Sequence, residues 1–318
     1  FSSGEKVKLN IQKREIFKEG MIFEKKYLTR NNLNFNKIHQ VIDKFKKLSL
    51  CVIGDIIIDE YCYHEPLGMS QEDFSIVVKP LDTNTYLGGA GIVAAHAAAL
   101  KAKSHLISII GKEKNLFIKN KLKNYGVRNL ITQDDNRLTT IKKKIKLVNK
   151  PLLRINNFSD DFISKKNQNI IYNKLVKIIK SVDVLIFSDF NYGILPSPLI
   201  ERITALCKKN SVITCADSQL SSQVGDILRF KNLDLLSQTE FEIRSSLRNN
   251  NDGLVKIMND FAKNTSAENI FLKLGDQGLI INKYENIDQL FTDKLESFNK
   301  IPVDPSGAGD SLLVLSSM

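Results

Sequence analysis

Apolar residues recur along this chain in two rhythms, one of three to four positions and one of two, and the rhythms alternate. Ile38, Val41, Ile42, Phe45 and Leu48 return at helical spacing and predict a helix over 36–48. Residues 50–55 follow as an apolar run ending in Gly54 and Asp55, the pattern of a strand covered on both faces in a parallel sheet. A second apolar run, 56–63, carries Asp59. Residues 74–86 alternate more and are more polar, as in an exposed antiparallel strand pair. An alanine-rich helix over 92–100 comes after Gly88, Gly89 and Gly91, and its small side chains predict close packing on a sheet. A strand over 105–110, a basic helix to about 125, an exposed strand over 139–148 and its return near 151–155 come next.

From 165 onward the alternation is regular. Helices are predicted over 165–180, 198–209, 239–248 and 253–263, strands over 184–187, 212–215, 233–236 and 269–274, and a hairpin pairs 279–281 with 290–292. Strands separated by helices of this length predict an α/β fold with a mostly parallel sheet, and the two exposed alternating regions predict a small β lid at one edge. Residues 1–34 carry mixed charge without a clear period. They are expected to be an N-terminal extension or the tail of an upstream domain, with 35–318 forming the folded domain.

The 318 residues are 42% hydrophobic, ample for a packed core. No run approaches the roughly 18 apolar residues of a membrane span, and no secretory leader pattern stands at the start. Cys51, Cys62, Cys207 and Cys215 are scattered, without C-x-x-C spacing or nearby histidines, so reduced core thiols and a cytoplasmic location are expected. The net charge of +11 suits anionic substrates. Its densest run is Lys142, Lys143 and Lys144, with no interleaved aromatic stripe for stacking bases, and the lysines read as a solvated surface.

The stretch with the most chemistry is 304–310, Asp304-Pro305-Ser306-Gly307-Ala308-Gly309-Asp310, just ahead of an apolar run. A glycine loop opening a helix gathers backbone N–H groups at the positive end of the helix dipole, a place for an anion. A carboxylate at the same place suits a base that takes a hydroxyl proton during phosphoryl transfer. A plain glycine turn with Asp310 as a helix-start residue accounts for the loop equally well. Other polar residues end predicted strands, among them Asp55, Asp189, Asp217 and Glu240, and ligands collect at such ends in α/β sheets. No G-x-x-x-x-G-K-[ST] loop occurs, and Gly54 lacks a G-x-G-x-x-G continuation.

On these residues the chain resembles the ribokinase-type (PfkB) carbohydrate kinases over about 48–318. The D-x-x-G-A-G-D signature stands at 304–310 and the earlier G-G signature at Gly88-Gly89-Ala90-Gly91. Within the family, 52–61 and 185–195 are most similar to the kinase part of the ADP-heptose synthases, which join a sugar kinase to a nucleotidyltransferase. The resemblance implies a three-layer sandwich with a small β lid. It also implies Mg²⁺-assisted transfer from ATP to a sugar or a heptose 7-phosphate-like sugar phosphate, in nucleotide-sugar biosynthesis. By the same resemblance Asp310 is the catalytic base and the amides of Gly307, Ala308 and Gly309 form the anion hole. Asp55, Asp59, Gly88 and Gly89 hold sugar hydroxyls, and Arg154 meets a substrate phosphate. Lys273, Gly275, Gly278 and Ser237 lie on the nucleotide side, and Glu240 holds Mg²⁺ through water.

Two positions depart from the family pattern: Ile92 replaces an asparagine after the G-G motif, and Ser237-Gln238-Thr239-Glu240 stands for N-x-x-E. Arg154 reads as well as a surface ion-pair residue, and Gly88 and Gly89 as packing glycines. The implied partners are the sugar and ATP, with neither nucleic acid nor membrane. A homodimer through the lid and a nucleotidyltransferase fused upstream are also expected, as is a kinase domain cut short at its C-terminus. The alternative function is a sensor on the same fold that binds sugar or nucleotide without turnover.

Overall fold

The computed structural model describes residues 27–147, 150–220, 225–286, 289–297 and 305–318. Helix α1 is Phe35–Phe45, capped by the Asn34 side chain accepting from the Lys37 N–H at 2.8 Å. Phe45 is the buried residue of α1, and Val41 and Ile42 lie exposed. Ahead of it, residues 27–30 form a helical turn from which Arg30 pairs with Asp293. Asp304 and residues 1–26 lie outside the described residues.

A nine-stranded sheet forms the middle layer, in the order β15-β14-β13-β12-β11-β10-β1-β4-β6. Its strands are β1 Ser49–Gly54, β4 Lys103–Ile107, β6 Arg128–Asn129, β10 Val184–Asp189, β11 Ile213–Ser218, β12 Leu235–Thr239, β13 Asn269–Lys273, β14 Leu279–Asn286 and β15 Gln289–Leu295. All neighbours pair in parallel except β13 with β14 and β14 with β15. Every residue of β1 is buried, as a central strand with helices on both sides requires.

Successive β1 side chains enter opposite cores. Leu50 and Val52 join α2 (Ala90–Ala99), α3 (Asn115–Asn124) and α8 (Ala308–Ser317) on one face. Cys51 and Ile53 join α4 (Lys165–Ile178), α5 (Ser197–Lys209), α6 (Glu240–Leu247) and α7 (Leu254–Thr265) on the other. Ala90, Ala94 and Ala97 are fully buried, and Ser104 Oγ donates to the Ala94 carbonyl at 2.7 Å, tying α2 to β4.

The lid is a second sheet, β3-β2-β8-β9, of β2 Ile56–Met69, β3 Ile76–Gly89, β8 Thr140–Leu147 and β9 Lys150–Asn157. The antiparallel pair expected within 74–86 is instead β2 against β3, both of 14 residues, paired from Ile56↔Gly89 outward. The roots Ile56, Ile57 and Ile58 are buried in the body, while the outer halves are exposed, so one strand changes pattern midway and masks its length in the sequence. The strand expected over 105–110 is interrupted at Ser108, whose Oγ donates to the Gly54 carbonyl at 2.6 Å. β5 Ile109–Ile110 then pairs with β7 Thr132–Gln133.

From β1 the chain moves first to β4 and β6, then returns to the other side of β1 at β10 and proceeds to β13. The connection order therefore reverses between β1 and β10, where such sheets bind ligands. The backbones approach closely there: a Cβ on Gly54 would lie 1.8 Å from the Ser188 carbonyl oxygen. Gly54→Ala is expected to cost about 3 kcal/mol of stability by forcing β1 and β10 apart, read as a lower free energy of unfolding in urea.

Cys51, Cys207 and Cys215 are buried free thiols, and burial pushes each thiol pKa up. Among the described residues no helix is long and apolar enough to cross a membrane, and no three His, Cys, Asp or Glu side chains group as a metal cage.

Candidate active site

Between lid and sheet lies a cavity of about 1090 Å³. Its floor is the start of α8, where Gly307 takes φ 79°, a left-handed conformation that suits glycine, and turns the chain into the helix. Gly307, Ala308, Gly309 and Asp310 all border the cavity. The Ala308 N–H is bonded to the Pro305 carbonyl at 3.1 Å.

Asp310 stands in the first helical turn with its pKa pushed up to about 6. Burial is the main cause and Asp217 and Asp59 add to it, while Lys273 and Lys142 oppose it. A carboxyl held this way is ionised at neutral pH and still basic enough to accept a proton. Beneath the loop, Lys273 at the end of β13 donates to the Asp217 carboxylate at the end of β11, at 2.5 Å. Burial works against the ammonium, but Asp217, Glu242 and Asp310 outweigh it and raise the lysine pKa.

The lid supplies the wall. Strand alternation turns Asp59, Tyr61 and Tyr63 of β2 and Lys142, Lys144 and Lys146 of β8 toward the cavity. Register pairs Asp59 with Lys142, Tyr61 with Lys144 and Tyr63 with Lys146, while β9 sets Asn156 beside Lys142 and Arg154 beside Lys144. The Lys144 ammonium donates to Tyr61 Oη at 2.8 Å and lies 3.6 Å from the Asp59 carboxylate. Lys144 and Lys146 share the Tyr61 ring, at 4.5 and 4.8 Å from its centroid. Lys143 points the other way, to Glu60 at 3.7 Å. The three lysines facing inward had read as solvated surface, although their spacing of two in a strand was visible in the sequence.

Most of the residues singled out in the sequence meet here: the loop residues with Asp59, Gly88, Gly89 and Arg154, and with Lys273, Gly275 and Gly278. Asp55, Asp189, Asp217, Ser237 and Glu240 do not border the cavity. Ser237 is fully buried in β12. Glu240 opens α6 and pairs with Arg244 at 2.7 Å, whereas Glu242, which closes a capping box with Thr239, faces the cavity. Asp55 turns inward, accepting the N–H groups of Phe190 at 2.8 Å and Tyr192 at 3.4 Å. Its own carbonyl accepts from the Ala90 N–H at 2.8 Å, so Asp55 clamps β1, the turn after β10 and the start of α2. Burial and then Asp189 push its pKa up to about 7. Next to it, Asp189 takes part in a buried pair with Arg229 and accepts from Ser218 Oγ at 2.5 Å.

Residues 47–314 match the model of the pfkB family of carbohydrate kinases. The chain belongs to that family. It is a carbohydrate kinase with a ribokinase-like fold. Among curated proteins it is similar to the bifunctional protein HldE of Sulfurimonas denitrificans, 27% identical over 271 residues that cover 83% of this chain and 54% of the relative. HldE of Desulfatibacillum aliphaticivorans is 28% identical over 280 residues, covering 86% and 55%. The chain thus spans about half the length of these relatives. Among solved structures, phosphofructokinase-2 from Escherichia coli in complex with fructose-6-phosphate superposes with a TM-score of 0.65 at 15% identity, covering 84% of each chain. Arabidopsis thaliana ribokinase, complexed with ribose and ATP, gives 0.61 at 16% identity, again covering 84% of each.

Proposed function

We propose that this kinase transfers the γ-phosphoryl of ATP to a sugar that already carries a phosphate at its far end, a heptose 7-phosphate or a close analogue. The observation that carries this reading is the basic wall opposite Asp310. Lys144 and Arg154 sit directly across from each other in the β8–β9 ladder, an arrangement that costs stability without an anion between them. Among the described residues neither Arg154 nor Lys146 has an acidic partner within salt-bridge distance. Lys144 and Arg154 lie one strand repeat outward from Asp59 and Lys142, about 7 Å. A hydroxyl between Asp59 and Asp310 and a phosphate at Lys144 and Arg154 are thus separated by roughly the length of one sugar, and the guanidinium matches a phosphate bidentately.

In this reading Asp59 orients the acceptor and Asp310 takes its proton. The acceptor oxygen bonds to the γ-phosphorus as the bond to the β,γ-bridging oxygen breaks, and ADP leaves with that electron pair. Gly275 and Gly278 border the nucleotide side. Mg²⁺ keeps most of its waters and binds through one or two carboxylates and substrate phosphates. Glu242, which borders the cavity, is the acidic residue that would hold it, with Glu240 two residues before it in the chain, and the ion would supply charge neutralisation at the phosphates. The similarity to relatives named bifunctional, of whose length this chain covers about half, supports the reading of a nucleotidyltransferase domain fused upstream.

A panel of free sugars and their phosphates with ATP, followed by ³¹P NMR, tests the acceptor class. Equal turnover of a sugar and its phosphate ester would discard it. Because Asp310 works ionised, kcat/KM is expected to be flat above about pH 6 and to fall about tenfold per unit below it. A pH–rate profile that stays level down to pH 5 would remove Asp310 as the base.

A further inference from the structure

We propose that Lys273 is a second catalytic group of this kinase, an internal cation that Asp217 holds beneath the glycine loop and that donates to the phosphoryl group in transit. The position comes from tertiary packing. β13 ends at Lys273 under the first turn of α8, so that a Cβ on Gly309 would lie 3.5 Å from the lysine Nζ and 3.7 Å from Asp217 Oδ2. The ammonium has three N–H donors, and among the described residues Asp217 is its hydrogen-bond acceptor, leaving donors for the cavity that Lys273 borders.

A structural ion pair alone accounts poorly for the surroundings. Asp217, Glu242 and Asp310 all act on this one ammonium. Without it Glu242 and Asp310 would border the cavity of the incoming polyphosphate with Asp217 buried behind them and no cation between. Among the described residues the other Asp217 oxygen, Oδ1, is buried without a partner, as is Ser237 Oγ, so the Asp217 carboxylate is a costly anchor unless the cation it fixes is needed there. Placed below the loop, the ammonium adds a full charge to the helix N-terminus where negative charge shifts onto phosphoryl oxygens. During transfer Lys273 keeps its protons; the acceptor proton goes to Asp310. Charged groups facing Asp310 are Asp217 from β11, Lys273 from β13, Asp59 from β2 and Lys142 from β8. Loss of the lysine therefore leaves Asp310 with two carboxylates against one cation.

The proposal rests on phosphoryl transfer at this site and not on which sugar accepts. The test uses the whole chain with ATP and sedoheptulose 7-phosphate as probe, or the best acceptor of the panel. Lys273→Met and the double variant Asp217→Asn/Lys273→Met are compared with the parent. The double variant removes both charges and is expected to melt as the parent does. Both are expected to lose about 100-fold to 1,000-fold in kcat and to bind acceptor in calorimetry as the parent does. Lys273→Met alone should move the acid limb of kcat/KM to higher pH, whereas the double variant, which also loses the larger opposing influence of Asp217, should not. Lys273→Arg should recover part of kcat. A folded double variant with kcat within about threefold of the parent overturns the proposal, as does a loss confined to acceptor binding. Full activity in Asp310→Asn would instead strike the site reading itself, and a parent chain that phosphorylates no acceptor overturns both.

Discussion

Asp310→Asn is expected to lower kcat by about 1,000-fold, or roughly 4 kcal/mol of barrier, while leaving acceptor affinity nearly unchanged. The amide keeps the shape of the carboxyl at the start of α8 but cannot take the acceptor proton. The same substitution separates catalysis from stability. Burial and Asp217 hold the folded-state pKa at about 6 against an ordinary 3.8. Between those values the folded chain keeps a proton that the unfolded chain has lost, so this group's contribution makes stability fall as pH rises across the window. Asp310→Asn should abolish that part of the fall and melt no lower than the parent at neutral pH. Steady-state kinetics with calorimetry for the acceptor check the first part, and thermal melts from pH 4 to 7 check the second. A variant that turns over at the parental rate, or that loses activity only through unfolding, would contradict the assignment.

Lys144→Ala combined with Arg154→Ala should cost about 1,000-fold in kcat/KM for a phosphorylated acceptor. Each charged contact to the phosphate is worth about 2 kcal/mol, and the two together approach 4. For the corresponding free sugar the change should stay within about threefold, because Asp59 and Asp310 remain in place. The folded state should be no less stable, since two cations facing each other across β8 and β9 are removed. Competition kinetics with the two acceptors in one reaction give the ratio directly. An equal loss for both acceptors would mean that the substitutions disturb the lid and not a phosphate subsite.

The layer plan and the loop before α8 were legible because each is a local property, whereas the lysines at 142, 144 and 146 read as solvated surface because their spacing of two does not say which face of the strand lines a cavity. Helical or strand period decides which side chains share a face, and glycine at 307 with Asp310 three residues on states a helix start and a carboxylate in one phrase. Pairing was not legible. β2 and β3 read as separate short segments, since burial changes halfway along each strand, and only the ladder from Ile56↔Gly89 to Met69↔Ile76 shows one hairpin. The roles of the acidic residues were decided by packing as well. Asp55 and Asp59 stand four residues apart in similar apolar runs, yet Asp55 is folded under the turn at Phe190 while Asp59 faces the cavity. Glu240 and Glu242 flank one phenylalanine, and the turn of α6 sends the first to Arg244 and the second to the cavity. Asp217 and Lys273 are 56 residues apart in sequence and meet only because β11 and β13 end at the same side of the sheet. A sequence states which charges exist and how they alternate; their mutual distances, and therefore the fields that tune Asp310, come from the long-range register of the strands.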